Sequence, residues 1–208
     1  MNPLRTAAYA AIVALATTTA VLQAQTIETH FSPKGDCQMT IIRELAAATT
    51  SIDLCAYHLN NPALCAALAD AAARGITVRI DLDTCQELPN DGPSKELKNS
   101  KASIKTDATE KMQHNKYAII DGKTTITGSY NWSMNAENRN AENLIVIRDT
   151  ATAAAFAADF QKHWSHSRPF ATRTRPPRSR SIPRAAATIT DPGPQKKDSL
   201  LWHLSQAP

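Results

Sequence analysis

Residues 51–82 read SIDLCAYHLNNPALCAALADAAARGITVRIDL, and their order decides the fold class. Ile52–Tyr57 is a short apolar run, the signature of a buried strand. Asn61-Pro62 supplies an N-cap followed by proline at the first helical position, which opens a helix over Pro62–Arg74 that Gly75 closes. Ile76–Leu82 then alternates Ile-Thr-Val-Arg-Ile-Asp-Leu, as a strand with one buried face does. Working outward, Ile27–Phe31 predicts a strand, and Cys37–Ala48 a helix with Met39, Ile42, Leu45 and Ala46 at helical spacing. A polar loop through Pro89, Asp91-Gly92 and Pro93 leads to a lysine-rich helix near Ser94–Asn99. Strand–helix–strand–helix–strand with short links predicts an α/β fold, a mixed sheet with helices on both faces.

The second half adds a hairpin. Tyr117–Ile120 and Thr124–Thr127 flank Asp121-Gly122, a dipeptide suited to a type I′ turn. Leu144–Ile147 predicts another strand, and Thr150–Trp164 a helix with Ala153, Phe156, Ala157 and Phe160 on one stripe. From Arg168 onward the periodicity stops. Residues 169–208 read as a disordered, Arg/Pro-rich basic tail that buries too little apolar surface to offset its ordering entropy. The apolar cluster at Ser199–Leu204 reads as a frayed terminus.

The N-terminus combines Arg5, an apolar run from Ala7 to Ala16 and small residues up to Ala24, with no acidic residue before Glu28. That is the pattern of a secretory signal peptide over residues 1–24, with a folded domain over 26–168. A periplasmic or secreted location follows, with no stable membrane insertion after cleavage. The net charge of +4 is uneven: residues 168–208 hold eight Lys or Arg and two Asp, which leaves the body slightly acidic. A strongly basic body, the footprint of a dedicated nucleic-acid binder, is absent. Four cysteines (Cys37, Cys55, Cys65, Cys85) without a Cys-x-x-Cys pair exclude a zinc ribbon. In an oxidising compartment their even number leads us to expect at least one bridge, with all three connectivities open. Cys55 and Cys65, in apolar stretches, read equally as buried thiols.

The chemistry concentrates in one segment, residues 114–132, HNKYAIIDGKTTITGSYNW. His114 and Lys116, two apart on a strand, share a face. A lysine neutralises phosphate oxygens while a histidine nitrogen can attack phosphorus, so the pair makes sense around one phosphate. The hairpin returns Gly128, which permits close backbone approach, and Ser129 and Asn131, which can donate to phosphate oxygens. Glu142 opens the next strand, where a carboxylate could hold an imidazole in one tautomer. Elsewhere, Trp132 reads as a base-stacking or a packing residue, and Tyr57 and His58 end a strand near the expected site. Asp81 and Asp83 read as solvated carboxylates at a strand end, and the lysines at 95, 98, 101 and 105 as a solvated face.

His114-x-Lys116-(x4)-Asp121-(x6)-Gly128-Ser129-x-Asn131 resembles the signature of the phospholipase D superfamily at every fixed position. The likeness continues through His30–Gly35, Ser51–Tyr57, Arg74-Gly75, Asp83, Asn140–Asn143 and Trp164, and is similar to small single-motif bacterial endonucleases of that superfamily. The resemblance implies a metal-independent, two-step hydrolysis through a phosphohistidine on His114, with no cofactor. It implies that Glu142 pairs with His114 and that Lys116, Ser129 and Asn131 hold phosphate. Asp121 belongs to the motif's catalytic set, yet doubles as a turn residue that braces the hairpin. With one motif per chain, the second histidine must come from another subunit. A twofold homodimer with a composite active site follows. Nucleic acid is the expected substrate, cut with little sequence preference. A phospholipid hydrolase is the alternative, against which stands the lack of an amphipathic basic helix. A catalytically silent nucleic-acid-binding or assembly protein acting through the basic tail is the alternative of another class.

Overall fold

The computed structural model describes residues 26–88 and 91–172. The expected signal peptide over residues 1–24 and the expected disordered tail beyond Thr172 lie outside the described residues. Eight strands form one mixed sheet: β1 (Thr26–Ser32), β2 (Ser51–Ala56), β3 (Thr77–Asp83), β4 (Ser103–Asp107), β5 (Lys116–Ile120), β6 (Thr124–Gly128), β7 (Glu142–Arg148) and β8 (Arg168–Pro169). Their order across the sheet is β1-β7-β6-β5-β2-β3-β4-β8. The β2–β3 and β3–β4 pairs are parallel and the rest antiparallel. The helices are α1 (Cys37–Ala47), α2 (Pro62–Ala73), α3 (Lys95–Lys98), α4 (Met134–Asn138) and α5 (Thr150–His166).

The local signals act as their chemistry requires. Asn61 caps α2, its side chain accepting from the Ala63 and Leu64 amides at 3.0 and 3.4 Å. Asp149 caps α5 by accepting from the Thr152 amide at 2.7 Å. In the β5–β6 turn both Asp121 and Gly122 have positive φ (54° and 62°), the requirement of a type I′ turn.

Pleating sorts the sheet into two faces. Ile52, Leu54 and Ala56 of β2, Val78, Ile80 and Leu82 of β3, and Ala118 and Ile120 of β5 pack with Ile41 and Leu45 of α1 and Leu64 and Leu68 of α2. On the opposite face Cys55, Tyr117 and Ile119 pack against Ala153 and Phe160 of α5. The second cover corrects the reading of β3 as a half-buried strand. Parallel strands flanked by helices are buried on both faces. Asp81 and Asp83 therefore lie inside the protein, not in solvent. Arg79, from the same face, binds Asp53 through two hydrogen bonds of 2.7 Å.

Three further differences from the sequence reading stand out. β4 falls where no strand was expected, and its Lys105 donates to the Trp164 carbonyl at 2.8 Å with its ammonium 4.3 Å from the Trp164 ring. Ordered structure also continues past residue 168. Pairing of β8 with β4 ends the sheet, and Arg168 binds the buried Glu87 at 2.6 and 2.7 Å. All four cysteines are free thiols, contrary to the expected bridge. The reason is placement: Cys37 and Cys65 belong to the core under α1 and α2, Cys55 to the α5 face. Among the described residues no helix is long and apolar enough to cross a membrane.

Candidate active site

Strand direction gathers the motif at one end of the sheet. β5 runs antiparallel to β2, so Lys116, at its start, pairs with Ala56 at the end of β2. β6 returns antiparallel and ends at Gly128 opposite Leu144, just inside Glu142 on β7. His114, Lys116, Gly128, Ser129 and Glu142 thus share one sheet edge. The Lys116 ammonium donates to the His114 carbonyl at 2.7 Å and lies 3.2 Å from His114 Nδ1. Burial lowers the Lys116 pKa, and the neighbouring Glu142 carboxylate partly restores it. Imidazole and ammonium therefore stand side by side.

Tyr57 packs against this pair. Its ring centroid is 4.7 Å from that of His114, and the Lys116 ammonium is 5.6 Å from the Tyr57 ring. The Cys85 thiol, burial and Asp83 hold the Tyr57 hydroxyl above the usual phenol range. The His58 ring packs tilted against Tyr57 with centroids 4.3 Å apart, and burial pushes its pKa down.

Gly128 has φ 141°, and a Cβ there would collide with the Asn143 carbonyl oxygen. That close approach lets Ser129 and Asn143 interlock: the Asn143 amide donates to Ser129 Oγ at 3.0 Å, and the Ser129 amide to Asn143 Oδ1 at 3.3 Å. Ser129 Oγ in turn donates to Glu142 at 2.6 Å, and Asn140 Nδ2 donates to the other carboxylate oxygen at 2.9 Å. Glu142 is thus at the site but bonded to Ser129 and Asn140, and the pairing with His114 implied by the resemblance is not formed. Asn131 follows on the same loop, its Oδ1 buried and without a hydrogen-bond partner among the described residues. Trp132 is buried beneath the loop at 1% exposure, which makes it a packing residue.

Asp121 is not brought to the site. It lies past the far end of β5, about 17 Å along the strand from Lys116 at ~3.4 Å per residue. Nor does it merely brace its own hairpin. Its two oxygens accept five hydrogen bonds of 2.7–3.0 Å from Thr49, Thr50 and Ser51, the turn between α1 and β2. Those donors hold its carboxyl far below the ordinary aspartate range despite partial burial.

One participant carried no signal in the sequence. Gln113 is buried, and its Oε1 accepts from the Asn115 amide and side chain at 3.3 and 2.9 Å. Its Nε2 reaches Asp81 and Asp107 at 3.4 Å each, and its backbone amide donates to Asp83 at 2.8 Å. Gln113, on one side of His114, is therefore tied to carboxylates of β3 and β4, and Asn115, on the other side, is tied to Gln113. Adjacency to His114 was the only available clue.

Comparison with known proteins places this geometry. The family profile described as Cardiolipin synthase, PLD-like domain matches residues 41–164. A phospholipase D of Rickettsia bellii is 38% identical over 130 residues, 62% of this chain and 65% of that protein. The mitochondrial cardiolipin hydrolase of Mus musculus is 31% identical over 129 residues, 62% of this chain and 58% of its own length. The chain thus spans less than two thirds of the length of these curated relatives. Among solved structures, a phospholipase D family member, Nuc from Salmonella typhimurium, superposes with a TM-score of 0.64 at 28% identity, covering 71% of this chain and 99% of that one. Match, relatives and fold agree, and the chain belongs to the phospholipase D-like domain family.

Proposed function

We propose that this protein hydrolyses phosphodiesters, with DNA or RNA as substrate and a twofold homodimer as the working unit. The observation that carries the reading is the side-by-side placement of His114 and Lys116 at the sheet edge that also presents Ser129 and Glu142. In the proposed reaction an imidazole nitrogen of His114 attacks phosphorus and the bond to the leaving oxygen breaks. The partner subunit's imidazole gives that oxygen its proton. A water then attacks the phosphohistidine, losing a proton to the same partner imidazole, and the P–N bond breaks to restore His114. Lys116 and Ser129 hold the non-bridging oxygens, and Asn131 adds an amide. Positive charge comes from the ammonium, so the reaction needs no metal. Passage through a signal sequence to the periplasm or outside the cell belongs to the same reading.

Nucleic acid is favoured by the single motif, and by the end-to-end cover of the Salmonella Nuc chain as against the partial cover of the longer relatives. The relatives' names support a second reading, a phospholipid headgroup hydrolase, and the exposed Met112 and Met134 beside the site loops suit an apolar substrate. One assay separates them. Plasmid DNA, RNA and a phosphatidylcholine–cardiolipin emulsion are offered in parallel with EDTA present, to wild type and to His114→Ala. Wild type should cut nucleic acid and the variant nothing. Lipid turnover without nucleic-acid cleavage would reverse the assignment, and a fully active His114→Ala would refute the nucleophile.

A further inference from the structure

A second polar centre lies behind the loop that carries His114. Asp107 ends β4, Glu110 follows in the loop, and His163 and His166 stand on the last turns of α5. A spacing of three puts the two imidazoles on one helix face. His163 Nδ1 lies 2.9 Å from Asp107 Oδ2 and 3.6 Å from Glu110 Oε2. His166 Nε2 lies 3.0 and 3.5 Å from the same two oxygens. The four atoms are all within 4.8 Å of one another.

Tetrahedral zinc, with bonds of about 2.0–2.1 Å, sets its donors about 3.3–3.4 Å apart. The four measured separations bracket that value. The donor set, two imidazoles and two carboxylates, is one that zinc accepts. Outer contacts orient two of the four groups, His163 and Asp107. Asp159 Oδ1 stands 3.6 Å from His163 Nε2, the ring nitrogen facing away from the centre. The Thr109 amide donates to Asp107 Oδ1 at 2.8 Å, and Gln113 Nε2 approaches Asp107 Oδ2 at 3.4 Å. Carboxylate and amide partners behind metal ligands serve this purpose. Asp107 itself is buried, and two imidazoles aim at one of its oxygens.

We propose that Asp107, Glu110, His163 and His166 bind one zinc-type divalent ion. Four protein ligands close the coordination sphere, so the ion is structural and takes no part in hydrolysis. It ties the end of β4 and the following loop to α5. Through Asp107 and Gln113 it steadies the segment that presents His114.

The test uses full-length protein, reduced, stripped with chelator and titrated with Co2+ alone. One equivalent should bind with the visible absorption of a tetrahedral site, be displaced by Zn2+, and raise Tm. Glu110→Gln, an exposed position whose change leaves the fold intact, should weaken Co2+ at least about tenfold. His166→Ala should abolish the absorption, while His58→Ala should not alter it. The proposal is overturned if no tetrahedral absorption develops, if it survives in both ligand variants, or if a sulfur-to-cobalt charge-transfer band shows that the cysteines bind instead. None of these readouts depends on what the enzyme cuts.

Discussion

Asp121→Asn tests whether the third motif residue is chemistry or architecture. Oδ1 accepts from the Thr50 amide, the Thr50 hydroxyl and the Ser51 amide; Oδ2 accepts from the Thr49 amide and hydroxyl. Asparagine tolerates the positive φ at this turn. Its NH2, however, meets a backbone N–H whichever way the amide is turned. The threonine hydroxyls can rotate to accept, so the conflict reduces to amide against amide plus the loss of charge on the remaining bonds. Hydrogen bonds to charged groups contribute about 1.5–3 kcal/mol each, and at this partly exposed turn the low end applies, giving a loss of about 2–3 kcal/mol in total. At 2–4 °C per kcal/mol for a domain of this size, Tm should fall by about 5–10 °C. The pH dependence has a fixed sign. The folded pKa of Asp121 is depressed below the unfolded value of about 3.9, so its stabilisation is full above that value and is lost as pH falls below it. The gap in Tm between wild type and Asp121→Asn should be widest near neutrality and narrow below about pH 4. Thermal denaturation across pH, with turnover measured well below Tm, provides the assay. A variant with unchanged Tm and lost turnover would refute the structural reading.

Two further perturbations address assembly and boundaries. If one composite site needs both His114 side chains, a 1:1 mixture of wild type and His114→Ala after subunit exchange should fall to about a quarter of wild-type activity, the statistical share of wild-type homodimers. Activity that stays at one half would mean each chain works alone. Deleting residues 173–208 should leave Tm within about 1 °C of the intact chain while weakening nucleic-acid association at moderate salt. Arg168→Ala should cost about 3 kcal/mol by removing a guanidinium from the buried Glu87, and an unchanged Tm there would deny β8 a place in the fold.

Signals that are local in sequence were legible. The Asn61-Pro62 cap, the Asp121-Gly122 turn and the α5 stripe each state their structure within a few residues, and the spacing from His114 to Asn131 implied the site edge. What stayed hidden depends on distant partners. Asp81 and Asp83 look like solvated carboxylates until α5, some 70 residues on, covers their face of the sheet. β4 is short and half polar, and only its neighbours β3 and β8 make it a strand. Lys105 reads as surface charge because the Trp164 ring that holds it is remote in sequence. His163 and His166 lack the Lys-Asp-Gly-Ser context, so the motif passes over them, and only folding brings Asp107 and Glu110 to them. Asp121 shows the opposite error: a conspicuous motif position whose side chain points to a turn at the wrong end of the sheet.

Gln113 is where these hidden interactions meet the chemistry. No regular element holds residues 108–115, so His114 depends on specific bonds for its position. Those bonds run through Gln113 to Asp81, Asp83 and Asp107, a cluster in which burial raises the Asp81 pKa while the Thr109 amide, His166 and His163, against the cost of burial, lower that of Asp107 to about 2. An amide suits this place because it donates to carboxylates with Nε2 and accepts from Asn115 with Oε1. Gln113→Ala removes both links but keeps the backbone bond to Asp83, so the chain still folds, at a cost of about 1–3 kcal/mol for a lost buried partner. The imidazole then loses its register with phosphorus. A displacement of about 1 Å at a nucleophile costs roughly 100-fold in rate. Because in the proposed reaction Lys116 and Ser129 hold the phosphate independently, kcat should fall by about that factor while KM stays within about twofold. A kcat loss no larger than the unfolded fraction, or an effect confined to KM, would show that Gln113 only fills space and that His114 is held by the strand alone.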